Sequence, residues 1–237
     1  MHWTTKLEAA RRLHDERRRR PPDDPARPDL HLAAVASASW AEGLALLMLG
    51  RGEDAARTFA RAADEYAASD EVAPPGSWGR PLAALRCRLL GGRADAAAAA
   101  AADADARRVL AMGVADAGSP IARYAAALAL LTIGADGEAA ALAEGLSSAD
   151  DFLRPVADAL TALGRGDGPR YRKAVAEVLR SFEERDAYLE DVPVADTVLV
   201  LEELALARGI AVEPESELLP PRRGKRRRER ESHRPLR

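Results

Sequence analysis

The sequence lacks asparagine and glutamine entirely, and it contains a single cysteine and only 4% aromatic residues. One cysteine, Cys87, excludes an internal disulfide framework and a cysteine-based metal site. The shortage of β-branched and aromatic residues argues against a β-rich fold, because these residues pack best on a pleated surface. The same shortage argues against aromatic binding cages.

Alanine dominates what is present. The 237 residues include 53 alanines, and all but three of the basic Lys and Arg residues are arginines. Alanine has the highest intrinsic helix propensity, so the composition predicts an all-α fold. The N-terminal segment has no apolar signal core, and the longest apolar stretch, residues 124–133, is far shorter than the roughly 20 residues that cross a bilayer. We therefore expect a cytoplasmic protein that does not enter a membrane.

Charge is segregated along the chain. The net charge of −3 divides into +2 for residues 1–29, −12 for residues 30–220 and +7 for residues 221–237. We interpret residues 1–29 as an N-terminal helix and a proline-rich linker, and residues 30–220 as the folded helical-repeat domain. Residues 221–237 are rich in arginine and have little hydrophobic surface to bury, so we expect a disordered basic tail.

The basic tail could bind nucleic acid or another polyanion by counterion release. No aromatic residue interleaves with the arginines, so such binding would be non-specific and strongly dependent on salt. Two alternatives stay open, that the tail folds back onto the acidic body or that it only increases solubility. The candidate polyanion-binding residues are Arg222, Arg223, Lys225, Arg226, Arg227 and Arg228.

Turns that contain glycine recur through the body. Each follows an apolar helical run, where glycine accepts the left-handed backbone that ends a helix. Acidic residues follow several of the turns, and they suit the positive N-terminal end of the next helix. The pattern predicts repeated pairs of helices. The turns are Leu49-Gly50-Arg51-Gly52, Leu90-Gly91-Gly92-Arg93, Ile133-Gly134-Ala135-Asp136, Leu163-Gly164-Arg165-Gly166 and a degenerate Arg208-Gly209.

Periodic apolar positions predict about nine body helices, arranged as four pairs and a last helix. A further helix, residues 5–20, precedes them, because Thr5 and Glu8 have capping-box spacing. The expected body helices are residues 30–49 and 53–68, 78–90 and 93–112, 121–133 and 137–146, 152–163 and 169–184, and 194–208.

The first helix pair combines large and small residues in a distinctive order. It has Trp40 and Gly43 in its first helix, the Leu49-Gly50 turn, and Phe59 among alanines in its second helix. This order resembles the tetratricopeptide and related α-solenoid repeats, although the turns here are mostly further apart than that family's 34 residues. The resemblance implies stacked antiparallel helix hairpins over about residues 30–210. It also implies that the first helices line a concave face that binds a peptide or a protein.

A second resemblance concerns residues 208–220, which begin with Arg208-Gly209-Ile210 and end with Leu219-Pro220. This segment resembles the C-terminal ending of an all-helical family of polymorphic-toxin immunity proteins. Those proteins neutralise toxins by binding them, without catalytic residues. Toxin neutralisation is therefore an alternative to a general role in protein binding.

No pattern in the sequence indicates catalysis, a metal or a cofactor. The four histidines, His2, His14, His31 and His233, lack the paired spacing of metal ligands. The segment Gly164-Arg165-Gly166-Asp167-Gly168 follows a helix, and it lacks the preceding strand or the lysine that a nucleotide-binding loop needs. We expect no enzymatic activity, so the leading hypothesis is a non-enzymatic helical-repeat protein that binds another protein.

Three junctions between a loop and a helix carry the candidate partner-binding residues. These are Trp78 and Arg80 at the second pair, Arg123 and Tyr124 at the third, and Asp196 at the last helix. Arg80, Arg123 and Tyr124 could meet an acidic peptide, and Asp196 could orient an arginine. The alternative is packing between helices with an internal bridge between an arginine and an aspartate.

Overall fold

A computed structural model describes residues 2–93, 95–114, 118–146 and 153–221. Within these ranges the chain forms ten α-helices and no strand, which confirms the predicted all-α fold. The one-turn 3-10 helix Leu189–Asp191 precedes the last of them. The α-helices are α1 Trp3–Arg19, α2 Pro28–Met48, α3 Gly52–Glu71, α4 Gly79–Leu90, α5 Ala96–Ala111, α6 Pro120–Thr132, α7 Asp136–Leu146, α8 Arg154–Arg165, α9 Gly168–Glu183 and α10 Asp196–Leu206.

The helices are stacked in chain order. Each helix from α1 to α9 packs against the next one along the chain. In addition α4 contacts α6, and α6 contacts α8. The first helices α4, α6 and α8 therefore lie side by side, and α2 contacts α4 through the pairs Trp40–Arg86 and Asp29–Arg80. We call the side of the array formed by these four first helices the first-helix face.

Short turns connect the two helices of a pair. Gly50 has φ of 72°, which the left-handed region allows for glycine without strain. The Gly50 and Arg51 amides donate to the Leu47 and Leu46 carbonyls over 2.8 and 2.9 Å, and these bonds satisfy the end of α2. Gly134 and Gly166 end α6 and α8 in the same conformation. Longer connections join one pair to the next.

Small residues let paired helices approach closely. A Cβ placed on Gly43 would lie 2.6 Å from the Phe59 ring, so this glycine makes room for the ring between α2 and α3. A Cβ on Gly164 would collide with the backbone of α7 at the Asp136 carbonyl and at Ala140. Alanine and leucine fill most of the remaining core. The alanine-rich composition therefore serves close packing between helices as well as helix formation.

Helix α2 is the one described helix that is long and apolar enough to cross a membrane by length and composition. Its most apolar window has a mean hydropathy of 1.4, and 61% of that window is buried inside the fold. A search for one apolar stretch overlooks α2, because Ser37, Ser39 and Glu42 interrupt it. The same three residues make contacts to α3 or α1.

Candidate partner-binding surface

The C-terminal part of the chain covers the first-helix face. Helix α10 packs against α4, α8 and α9, and the 3-10 helix before it packs against α2. Arg208, just after α10, donates to the Leu131 carbonyl of α6 over 2.7 Å. Thus the face that the tetratricopeptide resemblance assigns to a partner lies against the chain's own residues.

A buried ion pair holds the start of α10 to α4. The Arg86 guanidinium lies 2.9 Å from the Asp196 carboxylate and 3.2 Å from the Thr197 hydroxyl. Arg86 also lies over the Trp40 ring, with its central carbon 5.3 Å from the ring centroid. Burial works against the charge on Arg86, but Asp196 and Tyr124 raise the pKa of the guanidinium above its usual value. Asp196 thus orients an arginine of the same chain.

A second ion-pair cluster joins the starts of α2 and α4. Asp29 is 1% exposed, and its two carboxylate oxygens accept from Arg27 over 3.0 Å each and from Arg80. Arg80 also donates to the Ser69 hydroxyl over 2.9 Å. The hydrogen bond from Arg27 holds the pKa of Asp29 below its usual value, despite its burial. The Arg80 side chain therefore points into this cluster.

The other predicted site residues differ in exposure. Tyr124 is buried in the core, whereas Trp78 and Arg123 are half-buried. Arg80, Tyr124 and Asp196 make the internal packing and ion-pair contacts that the alternative interpretation expects. The candidate polyanion-binding residues 222, 223 and 225–228 lie outside the described residues, and so does most of the predicted basic tail.

Sequence reasoning did not identify an edge of exposed apolar side chains. Leu30 and Ile121 lie in the first turns of α2 and α6, Leu153 immediately precedes α8, and Val72 immediately follows α3. These four are 42–51% exposed. Trp78 immediately precedes α4, which is also a first helix, and its side chain is half-buried. We call these five residues the loop edge, because first helices begin and second helices end there.

A sequence signal for the loop edge does exist. At Leu30 and Ile121 a large apolar residue follows a proline-containing helix start, where the first turn of a helix reaches solvent. The sequences of α2 and α6 hide this signal, because both helices are apolar on nearly every side and Leu30 and Ile121 therefore look like further core residues.

Serine, histidine and a carboxylate meet once among the described residues. The Glu65 carboxylate accepts from the Ser39 hydroxyl over 2.5 Å and lies 2.9 Å from His14 Nε2. A catalytic triad places the histidine between the serine and the acid, whereas Glu65 occupies the middle position here. The contacts connect α1, α2 and α3, so we assign them a structural role.

Other chemically versatile groups are buried or dispersed. Burial raises the pKa of the Cys87 thiol, which therefore stays protonated at neutral pH. Among the described residues no three His, Cys, Asp or Glu side chains gather as metal ligands do.

Comparison with models of protein families, with curated proteins and with solved structures gives no match. The geometry of the chain itself therefore carries the functional interpretation.

Proposed function

We propose that this chain is a non-enzymatic helical-repeat protein that binds another protein through its loop edge. The observation that carries the proposal is the position of exposed apolar side chains at the same end of three helix pairs. Of the six large hydrophobic residues that the described ranges expose, Leu30, Val72, Ile121 and Leu153 lie at this edge. Exposed apolar residues that gather on one surface mark interaction sites more often than single scattered ones do.

Two further features support the loop edge over other surfaces. The first-helix face is covered by α10, so a partner would have to displace buried side chains such as Val198 and Leu201 to reach it. Loops that a rigid helical scaffold positions are also the usual carriers of recognition. Removing roughly 100 Å² of apolar surface from water at each such residue corresponds to about 2.5 kcal/mol of transfer free energy, from which the costs of association are subtracted.

The two alternative functions differ in whether they involve protein binding. A toxin-neutralising immunity protein also binds another protein without catalysis, so the identity of the partner separates it from a general interaction module. The proposal also includes a cytoplasmic location, which the burial of most of α2 supports. Association with nucleic acid through the tail has no support among the described residues, and it stays a prediction from the sequence.

Affinity capture from the native host with quantitative mass spectrometry tests the proposal. We expect the full-length protein to recover a reproducible partner protein, and Leu30→Arg and Ile121→Arg each to reduce its recovery at least tenfold. Leu206→Arg is the matched control, because Leu206 is the most exposed large hydrophobic side chain within the described ranges, at 64%, and lies at the end of α10. Thermal unfolding followed by circular dichroism checks that each variant folds.

Three outcomes of this capture would contradict the proposal. The first is equal recovery with all three variants, and the second is loss with Leu206→Arg alone. The third is recovery of nucleic acid that depends on residues 221–237 and is unaffected at the loop edge. Recovery of a toxin that the loop-edge variants lose would support the proposal and assign the immunity role within it.

A further inference from the structure

A pocket of about 250 Å³ lies where α1 meets the α2–α3 pair. Four arginines line it: Arg11 from α1, Arg51 from the turn before α3, and Arg57 and Arg61 from α3. No loop-edge residue lines this pocket, so an inference about it does not rest on the proposed function.

Two carboxylates each bridge two of these arginines. Glu42 lies 2.8 Å from Arg11 Nε and 2.5 Å from an Arg61 terminal nitrogen. Asp54 lies 2.7 Å from Arg51 Nε and also pairs with Arg57. The two bridges therefore fix the four guanidinium groups in place around the pocket.

The pocket retains an excess of positive charge. Four guanidinium groups face the two bridging carboxylates and also Glu65, which lies 3.9 Å from Arg61, so the formal excess is one positive charge. The Glu65 carboxylate also accepts from the Ser39 hydroxyl and lies 2.9 Å from His14 Nε2. The four arginine side chains are 40–70% exposed, and each guanidinium has five N–H donors, so donors beyond those in the bridges can reach a ligand.

We propose that this pocket binds a phosphate monoester dianion. Such a group carries a charge of about −1.5 to −2 at neutral pH, so the positive excess in the pocket attracts it. Guanidinium forks bind phosphate oxygens through paired hydrogen bonds, and the bridged arrangement orders them before the ligand arrives. The phosphate can belong to a free small molecule or to a phosphorylated side chain.

Isothermal titration calorimetry on the full-length protein tests this site. The two probes are glucose 6-phosphate and a short alanine peptide with one central phosphoserine, each compared with its unphosphorylated form at matched ionic strength. We expect saturable binding of at least one phosphorylated probe and none of the unphosphorylated forms. Preference for the sugar phosphate assigns a small-molecule source, preference for the peptide assigns a protein source, and equal affinity assigns recognition to the phosphate group alone.

Paired variants separate the pocket from the other basic regions. We expect Arg51→Gln/Arg57→Gln to weaken phosphate binding at least tenfold. The control Arg172→Gln/Arg180→Gln removes the same charge from exposed positions on α9 and is expected to change affinity less than twofold. No saturable binding by the unaltered protein would overturn the proposal, and so would equal weakening in both double variants. The loop-edge capture uses different residues, so failure of one proposal leaves the other intact.

Discussion

Asp29 is the residue on which the junction of α2, α3 and α4 depends. It accepts from Arg27 and Arg80, while the Ser69 hydroxyl donates to its backbone carbonyl over 2.7 Å. The Arg80 side chain is only 13% exposed, so loss of the carboxylate would leave a mostly buried cation without its counter-charge. Removal of one partner from a buried pair is strongly destabilising.

We expect Asp29→Asn to lower the thermal unfolding midpoint, with an effect that depends on pH. The hydrogen bond from Arg27 holds the folded-state pKa of Asp29 below its usual value near 3.9. The carboxylate therefore stabilises the fold above about pH 4, and this contribution disappears as the pH falls through the folded-state pKa. Thermal melts of both proteins from pH 7 to pH 2 measure it.

A control at an exposed aspartate makes this prediction specific. Asp186 lies in the exposed connection after α9, so Asp186→Asn should leave the midpoint nearly unchanged at every pH. A gap between the unaltered protein and Asp29→Asn that stays constant down to pH 2 would show that the charge of Asp29 is not what stabilises the junction.

At the scale of elements, close approach between α7 and α8 depends on Gly164. Added bulk there meets the α7 backbone, which cannot move aside as a flexible side chain can. We expect Gly164→Ala to lower the free energy of unfolding by about 1–2 kcal/mol, since overpacking outweighs the gain in helix propensity. Denaturation in guanidinium chloride measures the change.

Gly145 provides a matched control for this prediction. It is the next-to-last residue of α7, as Gly164 is of α8, but a Cβ at Gly145 would meet nothing within 4 Å. Gly145→Ala should therefore stabilise the protein by up to about 1 kcal/mol. Stabilisation by both substitutions would mean that α7 and α8 are not packed as closely as described.

The attachment of α10 depends on the pair between Arg86 and Asp196. We expect Asp196→Ala to cost about 3 kcal/mol of stability, because Arg86 would remain buried without its carboxylate. The double variant Arg86→Met/Asp196→Leu should recover most of that loss, since two apolar side chains can replace a buried ion pair. Equilibrium unfolding of the three proteins checks this. A double variant less stable than Asp196→Ala would contradict the account.

The sequence predicts the individual elements well where local chemistry defines their ends. Glycine turns at Gly50, Gly134 and Gly166 and the proline start at Pro120 place helix ends within a few residues of those observed. Helix α5 begins at Ala96, three residues after the expected Arg93. There the Asp95 side chain accepts from the Ala98 amide over 2.8 Å and caps the helix.

The sequence does not predict that α10 packs against the first-helix face. This packing depends on contacts such as Arg86 with Asp196, between residues far apart in the sequence whose pairing no local pattern encodes. The sequence therefore identifies Arg80 and Asp196 as candidate residues, but it does not identify their partners Asp29 and Arg86. The arginine pocket escaped prediction for the same reason, since Arg11 reaches it from a different helix.

At the scale of the whole molecule, the array has two unlike edges. One edge carries the tight glycine turns within pairs, and the other carries the longer connections and the exposed apolar side chains of the loop edge. The chain covers its first-helix face with α10 but leaves the loop edge open to solvent. This division is the basis on which we propose that the loop edge binds a partner.

Site-specific photocrosslinking in the native host tests that proposal most directly. A photoreactive amino acid at position 121 samples the loop edge, and the same amino acid at position 206 samples an exposed apolar position at the far end of α10. We predict a discrete covalent adduct with a single partner protein from position 121 and none from position 206. Adducts from position 206 alone, or none from either position, would contradict the account.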